Sequence, residues 1–167
     1  MREPRLIVLG GLPGVGKTTL ARGIASRTGA VLVRVDTIEA AVRRVAGGLA
    51  GPEGYVIGAA IAAENLRLGR DVIADAVNPL ALTRMGWRRA GAGARLVEIE
   101  LACGDAAEHR ARVEGRGADI EGLAVPDWAA VMARDHAPWP EAWRVETAGR
   151  SVEAVLAEVL GRLDDED

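Results

Sequence analysis

The sequence predicts an α/β fold, a three-layer sandwich around a central parallel five-stranded sheet. Three observations carry this expectation. Short apolar runs alternate with helical stretches along the chain, and the connections between them are short. The first run, Leu6-Ile7-Val8-Leu9, is continuous rather than alternating, as in strands buried on both faces. Three of the predicted strands close on Gly10-Gly11, Asp36 and Asp75, placing polar groups at their carboxyl ends, where ligands sit in such sheets.

The elements follow in order. After the strand at 6–9, a helix is expected over 17–26. A β-branched strand, Val31 to Val35, ends in Asp36, and a second helix covers 37–45. Gly47, Gly48, Gly51, Pro52 and Gly54 mark a loop. An Ala-rich helix is expected from Ile57 to Leu68, stopped by Gly69. Asp71 to Ala74 is the third strand, closing on Asp75, and a helix spans about 79–89. Arg95 to Leu101 is the fourth strand, and 106–114 is helical. Residues 115–126 are polar and Gly-containing and read as a lid loop. A short helix over 127–134 precedes Pro138-Trp139-Pro140, and Trp143 to Thr147 is the fifth strand. In the last helix Val152, Val155, Leu156, Val159, Leu160 and Leu163 fall at 3.6-residue spacing, with Ser151 placed to cap it. Residues 1–163 are thus expected to form one domain, and 164–167 an acidic tail outside it.

Composition narrows the class. The chain has 167 residues, 49% apolar and 27% charged, which suits a globular protein with a sizeable core. A net charge of −3 gives no general basic footprint for duplex nucleic acid. One cysteine excludes a disulfide framework or a multi-Cys zinc site within the chain. The absence of a signal-peptide pattern and of a membrane-length apolar run point to the cytoplasm. Lys17 is the sole lysine, so ammonium chemistry other than the N-terminal amine's rests on it.

Gly11-Leu12-Pro13-Gly14-Val15-Gly16-Lys17-Thr18 fits G-x-x-x-x-G-K-[ST] at every fixed position. Glycines let backbone N–H groups turn inward around phosphates, and the helix that follows adds its positive end. Lys17 is placed to reach the outer phosphates, and the Thr18 hydroxyl to bind Mg²⁺; Thr19 extends the same turn. With this composition the match arises by chance on the order of one time in a thousand. The motif also lies between a predicted strand and a predicted helix, as its mechanism requires.

Three nucleotide-binding classes fit poorly. A GTPase base-reading Asn-Lys-x-Asp needs a second lysine, and an ABC signature needs glutamine, which is absent. AAA+ and RecA-type motors usually need a longer chain. The segment 11–22 (GLPGVGKTTLAR), the strand ending in Asp36, the stretch Ala63-Glu64-Asn65-Leu66 with 69–75 (GRDVIAD), and Asp105, Arg112 and Arg116 together resemble the small P-loop kinase family. That group includes the kinase domains of polynucleotide kinases, chloramphenicol phosphotransferase and the zeta-toxin kinases. The resemblance covers nearly the whole chain. It implies a P-loop NTPase fold of the nucleoside-monophosphate-kinase type, with ATP and Mg²⁺ as cofactors and a hydroxyl-bearing small molecule as acceptor.

In the resembled kinases an Asp at the position of Asp36 accepts or orients the proton of the attacking hydroxyl; a bland alternative is that Asp36 caps the next helix. Asp75 serves either the water shell of Mg²⁺ or the acceptor, or is satisfied by backbone amides at the strand end. Arg112 and Arg116, four apart on one helix, correspond to an arginine pair that clamps the transferring phosphoryl group, against the alternative of a solvated helix with an ion pair to Glu108. Arg144, Ala148 and Gly149 fall where similar kinases pass near adenine. Polynucleotide kinases carry an arginine three residues after this Asp, and Glu39 stands there instead; nucleic acid is therefore a less favoured acceptor.

The remaining candidates read as bland. His109 and His136 are expected in surface or capping roles, Cys103 as an inert thiol, and Arg84, Arg88 and Arg89 as a solvated basic face. Arg110 is expected to be a surface charge. Trp87 is expected in the core, Trp128, Trp139 and Trp143 are candidates to stack on a base, and Asn78 is a candidate acceptor contact. The loop 47–54 and the helix after it are expected to build the acceptor pocket.

Overall fold

A computed structural model describes residues 2–48 and 51–165. The central strand is β1 (Arg5–Gly10), in which all six residues are buried. It pairs in parallel with β3 (Val72–Asp75) on one side and β4 (Arg95–Ala102) on the other. β2 (Val31–Arg34) joins β3, and β5 (Trp143–Glu146) joins β4, both parallel. The order is therefore β2-β3-β1-β4-β5.

Strand pleating sends alternate residues to opposite faces, so β1 supplies two cores. Ile7 and Leu9 pack with Leu20, Ile24, Leu156, Val159 and Leu163, from α1 (Lys17–Thr28) and α7 (Val152–Asp165). Leu6 and Val8 pack with Ala62, Leu66 and Trp87, from α3 (Glu53–Arg67) and α4 (Ala81–Ala90). The result is the α/β/α layering expected from the sequence.

Several boundaries differ from expectation. β2 stops at Arg34, and Val35 opens α2 (Val35–Ala46), so Asp36 lies in the first helical turn. A carboxylate suits that turn because the exposed N–H groups carry partial positive charge. α3 begins at Glu53 rather than 57, taking Gly54 into the helix. A Cβ there would sit 2.5 Å from Cγ of Glu39, so only glycine lets α2 and α3 approach this closely. The expected loop shortens accordingly, and its residues 49 and 50 lie outside the described residues. α7 continues through Asp164 and Asp165, so that part of the expected tail is helical, while 166 and 167 lie outside the described residues. The Ser151 hydroxyl accepts from the Ala154 N–H at 3.2 Å and caps α7.

The strand ends are fixed by buried polar groups. Asn78, fully buried with φ 50°, donates to the Leu9 carbonyl at 2.7 Å and accepts from the Trp87 indole at 2.8 Å. Asn78 is thus committed to the fold, which corrects its reading as an acceptor contact. Arg84 is also corrected: it is 3% exposed and donates to the carbonyls of Asn78 (3.0 Å), Pro138 (2.7 Å) and Ala137 (2.6 Å), lying over the Trp139 ring. These bonds use Nε, Nη1 and Nη2 together, a rigid fork of donors that arginine alone supplies. Arg88 pairs with Glu98 at 2.8 Å, so it too departs from a merely solvated face. Trp139, a candidate for base stacking, is buried at the Gly10 backbone; a Cβ on Gly10 would meet its ring at 2.3 Å.

Candidate active site

Residues 11–16 leave β1 and turn into α1. Gly11, Gly14 and Gly16 take φ of 131°, 85° and 104°, a region costly for any residue with a Cβ. At Gly14 the space is closed as well, since a Cβ would lie 2.6 Å from Cγ2 of Val113. That valine belongs to α5 (Ala106–Gly115), which packs under the loop. His109, on the same face of α5 four residues earlier, is 5% exposed, and its Nε2 lies 2.8 Å from the Pro13 carbonyl. Only a protonated Nε2 can donate there, so His109 props the loop from below and meets Trp128 edge-on. This corrects its expected surface role. The spacing to apolar Val113 was the available sequence signal.

Lys17 is 8% exposed and donates from Nζ to the Leu12 carbonyl at 2.9 Å. Burial lowers its pKa to about 8, against the opposing pull of the Asp75 and Asp36 carboxylates. The Thr18 hydroxyl donates to Oδ2 of Asp75 at 2.7 Å. Asp75 is 2% exposed; burial raises its pKa, and the Lys17 charge and the Thr18 bond work against that rise. The side chain of Asp75 thus faces the loop, and its partners are side chains rather than the backbone amides of the bland alternative.

The cleft over Lys17 and Thr18 has a volume of about 440 Å³. Gly14 through Leu20 form its floor, and Arg112, Arg116, Thr147, Arg150 and Val155 stand along one side. Arg112 donates to Oγ1 and the carbonyl of Thr147, both at 3.0 Å, and pairs with Glu108. The Glu108 contact foreseen as the alternative is therefore present, within a cleft wall rather than on a solvated face. α5 ends at Gly115, so Arg116 follows the helix in extended backbone instead of sharing a helix face with Arg112. Arg110 pairs with Glu114 at the surface.

Other expected contacts fall elsewhere. Gly11, Leu12 and Pro13 do not line the main cleft. Gly11 donates to the Val77 carbonyl at 3.0 Å, and the carbonyls of Leu12 and Pro13 hold Lys17 and His109. Arg144 is exposed on β5 and lines a smaller depression of about 240 Å³ beside Gly11, His136 and Cys103, which adjoins the main cleft at Val15 and Leu101. Thr147 and Arg150, which flank the expected Ala148 and Gly149, do line the main cleft.

Asp36 does not line this cleft but stands beside Arg34, which does. Its side chain is 42% exposed, and one oxygen is 3.8 Å from Nη2 of Arg34. It does not cap α2: the residue in that position is Arg34, and no side chain caps there. Glu39 follows Asp36 by three residues on the same side of α2, and burial raises the Glu39 pKa. Across from them, Tyr55 of α3 accepts from the Asn78 N–H at 3.2 Å, and burial pushes its phenol up to about 12.

Arg34, Arg22 and Asp119 escaped the sequence reading. Arg34 is buried beside Asp75, with which it is paired in strand register. Nη1 and Nη2 of Arg34 donate to the two oxygens of Asp119 at 2.7 and 3.0 Å, and Arg22 donates to Asp119 at 2.9 Å. The only signal was a single charge inside an otherwise apolar strand.

A parallel 2-3-1-4-5 sheet with a glycine loop cradling a lysine after its central strand defines a P-loop nucleoside-triphosphate-binding protein. The chain belongs to a family described as an AAA domain, whose profile matches residues 6–134. Uncharacterized proteins of Mycobacterium tuberculosis and Mycobacterium bovis are 30% identical over 161 residues, covering 87% of this chain. The chain spans about a third (32%) of their length. Among solved structures, the Mycobacterium tuberculosis APS kinase CysC, in complex with AMPPNP and APS, superposes with a TM-score of 0.70 at 18% identity, over 98% of this chain and 99% of that one. A gluconokinase from Sinorhizobium meliloti gives 0.67 at 19%, over 99% and 97%, and a sugar kinase from Janibacter gives 0.67 at 20%, over 98% and 95%. The fold is that of these small P-loop kinases. Among the described residues no helix is long and apolar enough to cross a membrane.

Proposed function

We propose that the protein is an ATP-dependent kinase that transfers the γ-phosphoryl group to a hydroxyl of a small molecule. The observation that carries this reading is the open cleft floored by buried Lys17 and by Thr18, with Asp75 bonded to Thr18 and Asp36 near enough for its charge to act on Lys17. The kinase names of the superposing structures support it. In this reading the loop amides and Lys17 hold the triphosphate, Val155 and its neighbours flank the base, and Arg112 and Arg116 screen charge on the transferring group. The Thr18 hydroxyl and the Asp75 carboxylate, hard oxygens 2.7 Å apart, suit Mg²⁺ directly or through its waters. Mg²⁺ would neutralise charge on the phosphate oxygens.

Asp36 orients the acceptor hydroxyl and takes its proton as the new P–O bond forms. Phosphoryl transfer needs little covalent help, so positioning is most of its contribution. Glu39 and Tyr55, near enough to Asp36 for the charges to act on one another, offer hydrogen-bond groups that suit a hydroxylated small molecule. Nucleic acid is the less favoured acceptor on charge. The alternative from another class is a nucleotide-binding regulatory protein with little turnover, which would use the same nucleotide cleft without acceptor chemistry.

The test is transfer from γ-labelled ATP with Mg²⁺ to nucleosides, sugars, hydroxylated antibiotics and a 5′-hydroxyl oligonucleotide. Label is expected on one small-molecule class, with Asp36→Asn losing about 10²-fold or more in rate while ATP affinity stays within about twofold. No labelled acceptor, with nucleotide bound equally by both proteins, would favour the regulatory reading.

A further inference from the structure

Three cations and three carboxylates stand close together: Lys17, Arg22, Arg34 and Asp119 line the cleft, and the Asp36 and Asp75 charges act on Lys17 and Arg34. Two of the carboxylates have assignments above. The third, Asp119, stands on the irregular loop between α5 and α6 (Trp128–Met132), 85 residues from Arg34. Its two oxygens lie across the Arg34 fork, and one also accepts from Arg22. The Arg34 bonds hold the Asp119 carboxyl down to about 2, so it is ionised throughout the physiological range.

This arrangement is an occupied anion seat. A carboxylate gripped at two points by one guanidinium and at a third by another matches what two adjacent oxygens of a phosphoryl group present. The Arg34 side chain is 7% exposed, so its position is set by β2 and not by Asp119. Asp119 is 36% exposed and on a loop, so of the two it is the partner free to leave. The seat is also incompletely filled. The Arg34 Nε–H is buried without a hydrogen-bond partner, 3.6 Å from Oδ2 of Asp75, too far to bond. That Asp75 oxygen is the one bonded to Thr18, which places the open donor at the phosphate end of the cleft. A triphosphate entering here would meet the Asp119 charge at close range, and like charges in a half-buried cleft repel.

We propose that Arg34 and Arg22 form a seat for the γ-phosphoryl group of the bound nucleoside triphosphate, and that Asp119 fills this seat when the triphosphate is absent. The proposal rests on the nucleotide-binding reading of the cleft and deepens it. A γ-phosphoryl oxygen displaces each Asp119 oxygen, a further one reaches the free Nε–H, and the lid loop is released from α1 and β2 as the nucleotide arrives. A diphosphate leaves the seat to Asp119. The seat therefore distinguishes ATP from ADP, and its arginines act on the transferring group itself.

The experiment is calorimetric titration of AMPPNP and ADP, each with Mg²⁺, into wild type, Asp119→Asn, Arg34→Met and the double variant. Asp119→Asn is expected to tighten AMPPNP about five- to tenfold and to move ADP less than about twofold. Arg34→Met is expected to weaken AMPPNP about tenfold with ADP nearly unchanged, and the double variant to show no tightening over Arg34→Met. Arg34 is buried, so Arg22→Met, on an exposed side chain, gives the same test by a smaller loss of AMPPNP affinity if Arg34→Met does not fold. Equal effects on the two nucleotides, or an AMPPNP affinity unmoved or lowered by Asp119→Asn, overturn the seat while leaving the nucleotide site intact. Failure of wild type to bind either nucleotide overturns both.

Discussion

Lys17 enters the protein at a measurable cost in its charged form, and nucleotide binding should reveal it. Burial lowers its pKa from 10.5 to about 8. At about 1.4 kcal/mol for each pKa unit, that is about 3 kcal/mol against the ammonium in the empty site. Phosphate oxygens reverse the balance, so the bound form holds Lys17 fully protonated. Binding at pH 8.5 must then draw about 0.75 proton from solvent, and at pH 7.0 only about 0.1. Affinity falls about tenfold between pH 7 and pH 9 for the same reason. The assay is titration of ADP in two buffers of different ionisation enthalpy, which separates proton uptake from binding heat. Lys17→Met should bind weakly with no uptake at either pH. The free protein responds with the opposite sign. Between about pH 8 and 10 the unfolded chain holds a proton on this lysine that the folded chain has lost, so that group's contribution to stability rises with pH. Proton uptake that is equal at both pH values, or absent from wild type at pH 8.5, would refute the assignment of Lys17 as a buried phosphate ligand.

Three further outcomes follow from the geometry. Arg84→Met leaves the close carbonyls of Asn78, Ala137 and Pro138 without partners and should cost about 3 kcal/mol in urea unfolding at unchanged m; a loss under about 0.5 kcal/mol would contradict the role given to it. Thr18→Val removes the hydroxyl that faces Asp75, so the tightening of ATP binding by Mg²⁺, read by titration with and without the metal, should fall about tenfold or more. Gly14→Ala combines a φ of 85° with a Cβ pressed on Val113, and should weaken nucleotide binding about tenfold or more while lowering stability by about 1–3 kcal/mol; equilibrium dialysis and thermal unfolding measure the two effects.

What the sequence disclosed was the part of the molecule written locally. Leu6 to Leu9 reads as a doubly covered strand because every residue in the run is apolar. The loop 11–18 reads as a phosphate cradle because its chemistry is carried by consecutive residues. α7 reads as a helix because Val155, Leu156, Val159 and Leu163 repeat at the helical period. The misreadings share one cause, polar residues whose partners are distant in sequence. Arg84 looks like a surface charge until the carbonyls of 137 and 138, more than 50 residues later, are folded against it. Asn78 reads as an acceptor contact from its place just after Asp75, and His109 as a surface or capping residue from its type, whereas Leu9 and Pro13 hold them inside. Val35 prolonged a β-branched run and hid the start of α2 one residue before Asp36. Arg34 shows only as a lone charge in an apolar strand and Asp119 not at all; their pairing exists only once the loop after α5 folds against β2.

The central claim is that this P-loop delivers a phosphoryl group to a hydroxyl rather than to water. Phosphorus-31 NMR of the protein incubated with ATP, Mg²⁺ and the hydroxylated acceptors reads this directly. The account predicts a phosphomonoester resonance that grows with ADP only when one acceptor class is present, and that is lost with Asp36→Asn. Inorganic phosphate as the sole product, formed at one rate with every acceptor and with none, would contradict it.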